Sequence, residues 1–496
     1  MAERLTSTAG GLRSSTSDSS LLRARRWAVG HRDAIFVGVA MSACLVLSVA
    51  VYWPGVNGFF AFDDYFFLRA VRNHSFLGGM VRAFTFTRGE PFDEASPFWR
   101  PLIDIYFYAF KPFGLHAQPF HAVNIGLHGA VGALAVLLMW RLTKSSIVAA
   151  AIGLLFVVAP TYDFAVSWVA QVSELFGYAL MLAALLCYTK YLTDRVHRPG
   201  YAAATFVLTF FALLTKESTM ILAVLLPAVL VAIPAADIHR TRRQLLSSLS
   251  APITMIVAFG VAMELAELLV PQRLNSIGWH MPRNLWRYLE WLVLPYRPGD
   301  FLHAREVLAA LFLLAGTFSV LQRQRVLGFL FVWTIAALAP FTGFDEWIEL
   351  RYTYLAALPF VAFVVLGAAT LARQAPRSMQ MTAFAALAAA FLLALAVTPM
   401  RTRDQQSWFA LQGQANEQMI DSVRSLCGPL PRDSFVYVVR PPYFDLYGQH
   451  TPAAINLYYD HVNAAVVEDV PALAAFITNK CVLQYDYSAR RYVRLE

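Results

Sequence analysis

The chain has 496 residues, of which 58% are hydrophobic and only 15% charged, too apolar a balance for a soluble enzyme of this length. It reads as a polytopic membrane protein. The formal charge of +8 does not point to nucleic acid, because the basic residues flank apolar stretches instead of forming one patch with stacking aromatics.

Residues 1–33 form an N-terminal tail, rich in Ser, Thr and Gly over its first twenty positions and without apolar period, which predicts disorder. Apolar segments of roughly 17–25 residues then recur, each able to cross a hydrocarbon core about 30 Å thick. About eleven spans are expected, at 34–53, 119–141, 146–161, 165–189, 200–214, 218–235, 251–270, 305–321, 326–342, 353–372 and 380–398. The first has a long apolar run and no clear small-residue cleavage site ahead of Trp53 and Pro54, so it reads as an uncleaved signal anchor. Basic residues mark alternate ends: the tail, then Lys190, Arg195 and Arg198, then Arg240, Arg242 and Arg243, then Arg323 and Arg325, then Arg373 and Arg377. By the positive-inside rule that side is cytoplasmic, and the C-terminus lies outside. The Arg-rich tail and the absence of an ER-retrieval signal suit a bacterial inner membrane.

The spans define a bundle over 34–399 with two notable external segments. The first, 54–117, is long and aromatic, and its PLIDIYFYAF stretch is too short to span, which predicts interfacial helices. The second, 271–304, combines Trp286, Tyr288 and Trp291 with Arg283 and Arg287, again suiting an interfacial helix. From about residue 400 the pattern changes to a helical signal over 404–426 and strand-like SFVYVV and CVLQYDY, predicting a small periplasmic α/β domain over 400–496. Its Cys427 and Cys481 form a disulfide or remain free thiols; their spacing matches no zinc pattern.

Charged groups at the ends of spans are expensive and therefore informative. Asp63 and Asp64, in FFAFDDYFF, are either a solvated turn or helix cap, or acids whose aromatic setting raises one pKa and equips the pair to take a proton from an acceptor hydroxyl. Arg100, in FWRPL, is a snorkelling interfacial arginine or a phosphate clamp. His121, Asn124 and His128 share one helix face, for inter-helix hydrogen bonds or, with a further ligand, a metal. Glu174 opens the fourth span, and Lys216 and Glu217 interrupt an apolar stretch between the fifth and sixth, where they pair with each other or serve a site. Asp345, Glu346, Glu349, Arg351 and Tyr352 lie between the ninth and tenth spans. All fall on the external side, so chemistry is expected there.

The motif order FDDYF, WRPL, FHAVNIGLH, SELFGY, LTKES and LRYTYLAALP resembles the GT-C membrane glycosyltransferases, nearest the protein O-mannosyltransferase-like and tetratricopeptide-bearing transmembrane branch. The resemblance covers residues 55–235 and 349–360. It implies an all-α polytopic enzyme that moves a sugar from a polyprenyl-phosphate donor to a hydroxyl of a protein, lipid or surface glycan. Asp63 and Asp64 would then supply the catalytic base, Arg100, Lys216 and Arg351 would hold the donor phosphate, and Glu174 would be a second acid. The family is divided on metal use, and no metal or cofactor is expected. The tetratricopeptide repeats of the nearest branch are absent, replaced by the α/β domain. A flippase for lipid-linked glycans and a non-catalytic scaffold are the competing readings, the former disfavoured by charges clustered at one face and no visible inverted repeat.

Overall fold

The computed structural model describes residues 14–72, 75–84, 99–159, 163–267, 276–293, 302–344, 348–442, 450–459, 462–471 and 477–495. Helix α1 (Ser14–Tyr52) carries the first span and begins well inside the tail expected to be disordered. Residues 14–33 contain no proline, so the hydrogen-bonded ladder of the apolar run extends back through them.

Three short helices follow at one end of the bundle: α2 (Asp64–Arg72), α3 (Phe76–Ala83) and α4 (Pro101–Phe110). Ser75 caps α3 by accepting from the Gly78 amide at 3.1 Å, and Pro101 occupies the first turn of α4, where its missing N–H costs nothing. PLIDIYFYAF is α4; at 10 residues it is about 15 Å long, half a bilayer core.

The bundle continues with α5 (Gln118–Thr143), α6 (Ser146–Val158), α7 (Asp163–Ser167), α8 (Val172–Thr193), α9 (Pro199–Leu213), α10 (Leu222–Ala232), α11 (Arg242–Glu267), α12 (His280–Val293), α13 (Leu302–Leu321), α14 (Arg325–Thr342), α15 (Tyr354–Gln374) and α16 (Arg377–Ser422). Each predicted span overlaps an apolar helix, although 165–189 is broken into α7, a 3-10 turn and α8, and the helix at 251–270 starts earlier, at Arg242. Among the described residues, 8 helices are long and apolar enough to cross a membrane, while Ser146–Val158, Pro199–Leu213 and Glu217–Ala232 are shorter. Most of α8 is buried at the centre, whereas no residue in the apolar window of α16 is fully buried, as expected of a lipid-facing helix. Helix α12 lies within the expected second external segment, but its inner face is buried. Asn284 Nδ2 donates to the carbonyls of Thr342 and Phe344 at 3.0 and 2.7 Å, fastening α12 to the end of α14.

The expected boundary near residue 400 is not a break in the backbone. Helix α16 is 46 residues long, about 70 Å, and runs through Pro399 from the bundle to the C-terminal sheet. That sheet comprises β1 (Phe435–Val439), β2 (Asn463–Val467), β3 (Lys480–Asp486) and β4 (Arg491–Arg494), with α17 (His450–Ile455) between β1 and β2. The strand order is β2-β1-β3-β4. Strand β1 is parallel to both neighbours, with Val436 opposite Ala464 and Cys481, and β3–β4 is antiparallel. SFVYVV and CVLQYDY became β1 and β3; β2, as long as β1, and β4 alternate too weakly to be read from sequence. Cys427 and Cys481 are joined, with Cα atoms 5.8 Å apart.

The sheet does not keep a core to itself. Val436, Val438, Ala454, Ile455 and Leu483 share one continuous hydrophobic cluster with Phe60, Tyr65 and Phe66 of the segment after α1 and with Phe107 of α4. The C-terminal domain is thereby packed onto the stretch that contains the two aspartates.

Candidate active site

Phe62 precedes the aspartates with φ of 53°, a left-handed conformation that costs a bulky residue about 1–3 kcal/mol. Its surroundings hold it there. The Phe62 ring packs edge-on to Trp168, Phe409 and His450, with centroids at 5.4, 6.2 and 5.6 Å. Tyr65 Oη donates to the Phe60 carbonyl at 2.6 Å. Helix α16 passes so close that a Cβ on Gly413 would stand 2.8 Å from the Phe59 oxygen and 2.9 Å from its nitrogen.

This turn sends the two acids into different environments. Asp64, first residue of α2, is buried, and its carboxyl accepts from the Ala61 amide at 2.9 Å and the Ala170 amide at 2.7 Å. It ties the segment after α1 to the turn that precedes α8. Burial pushes it up to about 8, the two amides work in the opposite direction, and the neighbouring Asp63 charge adds to the rise. Asp63 keeps 43% of its side chain exposed, with His450 Nε2 donating to its Oδ1 at 3.3 Å. Burial works to raise Asp63, but the His450 hydrogen bond and the charges of Arg351, His450 and Arg100 prevail and hold it below the usual carboxylate range. The turn therefore drives the two neighbouring carboxyls in opposite directions, Asp64 up and Asp63 down.

Three cations stand around this pair, each matched to a carboxylate. Arg100 binds Glu217 in a bidentate fork, Nε to Oε2 at 2.9 Å and Nη2 to Oε1 at 2.6 Å. Lys216 forms a buried ion pair with Glu174. Arg351 pairs through Nε with Glu349 Oε2 at 2.7 Å, while its Nη2 donates to Tyr352 Oη at 3.2 Å and its guanidinium lies 4.4 Å over the Trp168 ring. Lys216 and Glu217 thus do not pair with each other. Adjacent in sequence, with Lys216 extended after α9, they point apart, one to Glu174 of α8 and one to Arg100 at the start of α4. Gly177 permits this approach, since a Cβ there would sit 2.7 Å from Thr215 Oγ1. The fields of Arg351 and Arg100 act on Asp63, and those of Asp63 and Lys216 act on Glu349, so the groups form one electrostatic unit.

The polar face of α5 serves the scaffold. His121 Nε2 bonds the Gly58 carbonyl at 3.1 Å. Asn124 Nδ2 donates to the carbonyls of Val166 and Trp168 at 3.2 and 2.8 Å. His128 bridges Tyr354 Oη at 2.9 Å and the Val157 carbonyl at 3.0 Å. These are the inter-helix hydrogen bonds that one helix face allows, and they position Trp168 and α15 around the aspartates. Among the described residues, no group of three His, Cys, Asp or Glu side chains could hold a metal ion. Asp345 and Glu346 lie outside the described residues.

Two residues at the site were not singled out by sequence. Trp168 was read only as part of a span, and His450 sits in QHTPAAINLYY, which has no period or motif linking it to residue 63. A 387-residue separation leaves no local signal for such a contact.

No family model and no curated protein sequence matches the chain. Among solved structures, the chain is similar to the crystal structure of ArnT from Cupriavidus metallidurans bound to undecaprenyl phosphate, with a TM-score of 0.50 and 14% identity over 92% of this chain and 93% of that one. A helical bundle with apolar helices long enough to span a membrane and a small C-terminal sheet, the chain has a fold similar to that of ArnT.

Proposed function

We propose that this protein is a membrane glycosyltransferase that moves a sugar from a polyprenyl-phosphate donor to an acceptor hydroxyl, with Asp63 as general base. One juxtaposition carries the reading: a half-exposed, ionised Asp63 beside Arg351 and Arg100, in a fold shared with a protein crystallised with undecaprenyl phosphate. A polyprenyl-linked sugar already carries its leaving group. The acceptor oxygen attacks the anomeric carbon, the bond from that carbon to the phosphate oxygen breaks, Asp63 takes the hydroxyl proton, and the departing phosphate keeps the electron pair.

Arg351, Arg100 and Lys216 supply positive charge for that phosphate. Each is already neutralised by a carboxylate, which keeps a buried cation tolerable without substrate. Glu349 is the partner suited to yield. Burial already pushes its carboxyl up, Arg351 opposes this, and Asp63 adds to it, so an arriving phosphate would favour its protonation and release Arg351. Asp64 is the strut that holds the turn.

The charged cluster lies at the bundle end opposite the basic loops, where Arg240 stacks over Tyr191 and Arg325 donates to the Ile233 carbonyl. The positive-inside rule then supports a periplasmic site, with the C-terminal domain beside it. The motif order favours the protein O-mannosyltransferase-like branch; the acceptor is a protein, lipid or surface glycan. Purified protein in proteoliposomes, given a radiolabelled undecaprenyl-phosphate sugar and a panel of membrane-derived acceptors, should transfer label. Failure with every donor and acceptor, while the protein moves the intact lipid-linked sugar between leaflets, would establish a flippase instead.

A further inference from the structure

His450 opens α17 in the C-terminal domain, yet it is buried against the two aromatics that flank the aspartates. Its ring lies 5.6 Å from Phe62 and 5.5 Å from Phe66 by centroid, and its Nε2 reaches Asp63 Oδ1 at 3.3 Å. A carboxylate only accepts, so this nitrogen carries the hydrogen. The docking that brings it there is extensive. Ala453, Ala454 and Ile455 share a core with Tyr65, Phe66 and Leu68, and Arg72 at the end of α2 donates to the carbonyls of Leu457 and, at 3.2 Å, Asn456.

We propose that His450 is a positioning residue for Asp63, holding Oδ1 so that Oδ2 is presented to the acceptor hydroxyl, and that it couples transfer to the docked C-terminal domain. The inference rests on Asp63 being the base. Half-exposed on a strained turn, the Asp63 carboxylate has room to rotate about its χ angles. A hydrogen bond from a ring already clamped between Phe62 and Phe66 removes that freedom before substrate arrives, which is how preorganisation raises a rate. Asp63 is also acted on by Arg351 from the turn before α15 and by Arg100 from the start of α4, and its own charge acts on Asp64 and Glu349. Among these, His450 is the group that makes a direct hydrogen bond to it and the one contributed by the C-terminal domain.

The test uses full-length protein in proteoliposomes with an undecaprenyl-phosphate sugar, comparing wild type with His450→Phe, His450→Gln, Arg72→Met and Asp63→Asn. Protease resistance of the C-terminal sheet reports that the C-terminal domain remains folded. His450→Phe keeps a ring between Phe62 and Phe66 but cannot donate. It should lower kcat about tenfold or more with KM for the donor little changed, and move the acidic limb of kcat/KM to higher pH. His450→Gln, which returns an N–H at similar reach, should recover most of the rate. Arg72→Met loosens docking away from the acids and should lower kcat with donor KM retained, so the coupling is tested even if His450→Phe misfolds. Equal loss in the Phe and Gln variants, or wild-type kcat in His450→Phe, would overturn the proposal while leaving Asp63 as base. Wild-type transfer by Asp63→Asn would overturn the base assignment and this inference with it.

Discussion

Exchanging either aspartate for asparagine separates the two roles the structure assigns to them. Asp63→Asn preserves size and an oxygen for His450 to donate to, in a side chain that is 43% exposed, so unfolding stability should change by about 1 kcal/mol or less. Catalysis should suffer far more. Loss of a general base lowers kcat by about 10²–10⁴-fold, equivalent to roughly 3–5 kcal/mol in the barrier. Asp64→Asn should do the reverse. Its carboxyl accepts from both the Ala61 and Ala170 amides in a buried setting, and an amide can serve only one of them with its oxygen. The other N–H then faces an NH₂ group, at a cost of about 1–3 kcal/mol in stability. The pH dependence has a definite sign. Asp64 is raised to about 8 in the folded chain from an ordinary 3.8, so the folded state binds the proton more tightly between those values. Stability should therefore fall as pH rises from about 4 to 8 and then level off, and Asp64→Asn should remove that slope. Asp63 is lowered, so its contribution is present above the ordinary range and lost as pH falls through its folded value, together with transfer. Thermal unfolding of purified protein across pH, paired with transfer assays, reads both effects. An active Asp63→Asn beside a well-folded but inactive Asp64→Asn would refute the assignment.

Three further outcomes are expected. Lys216→Met strands the buried Glu174 and should cost about 3–5 kcal/mol, whereas Lys216→Met with Glu174→Gln should regain most of that stability; thermal unfolding decides, and equal stability of single and double variants would contradict the pairing. Gly413→Val places a Cβ within 2.9 Å of the Phe59 backbone, and should depress transfer by displacing the turn before Asp63, an effect absent if α16 and that turn are not in contact. Removing both Cys427 and Cys481, which close a loop with a separation of 54 residues, should lower stability of the C-terminal domain by about 4 kcal/mol as read by protease susceptibility of the sheet; an unchanged digestion pattern would argue against the bond.

Much of the bundle was legible because the signal is cheap to read. An apolar helix long enough to span needs only composition and length, and 251–270 and 326–342 could be placed from hydropathy alone. The C-terminal sheet was half legible: β1 and β3 carry dense β-branched and aromatic residues, while β2 and β4 are held by their neighbours' backbone groups more than by their own side chains. Of the tail, residues 14–33 belong to α1 and the first thirteen lie outside the described residues.

At the site, residue type and the side of the membrane were available from sequence, but partners were not. Lys216 and Glu217 are neighbours that pair elsewhere, Asp63 and Asp64 are neighbours with opposite electrostatics, and His450 approaches Asp63 across almost the whole chain. The sequence by itself determined a helical membrane bundle and a gathering of acids and bases at one end of it, because hydrophobic length and the cost of burying charge act locally along the chain. Only the tertiary structure decided which aspartate is buried and raised and which is half-exposed and lowered, because that depends on desolvation and on hydrogen bonds from Ala61, Ala170 and His450, which close packing brings together in space.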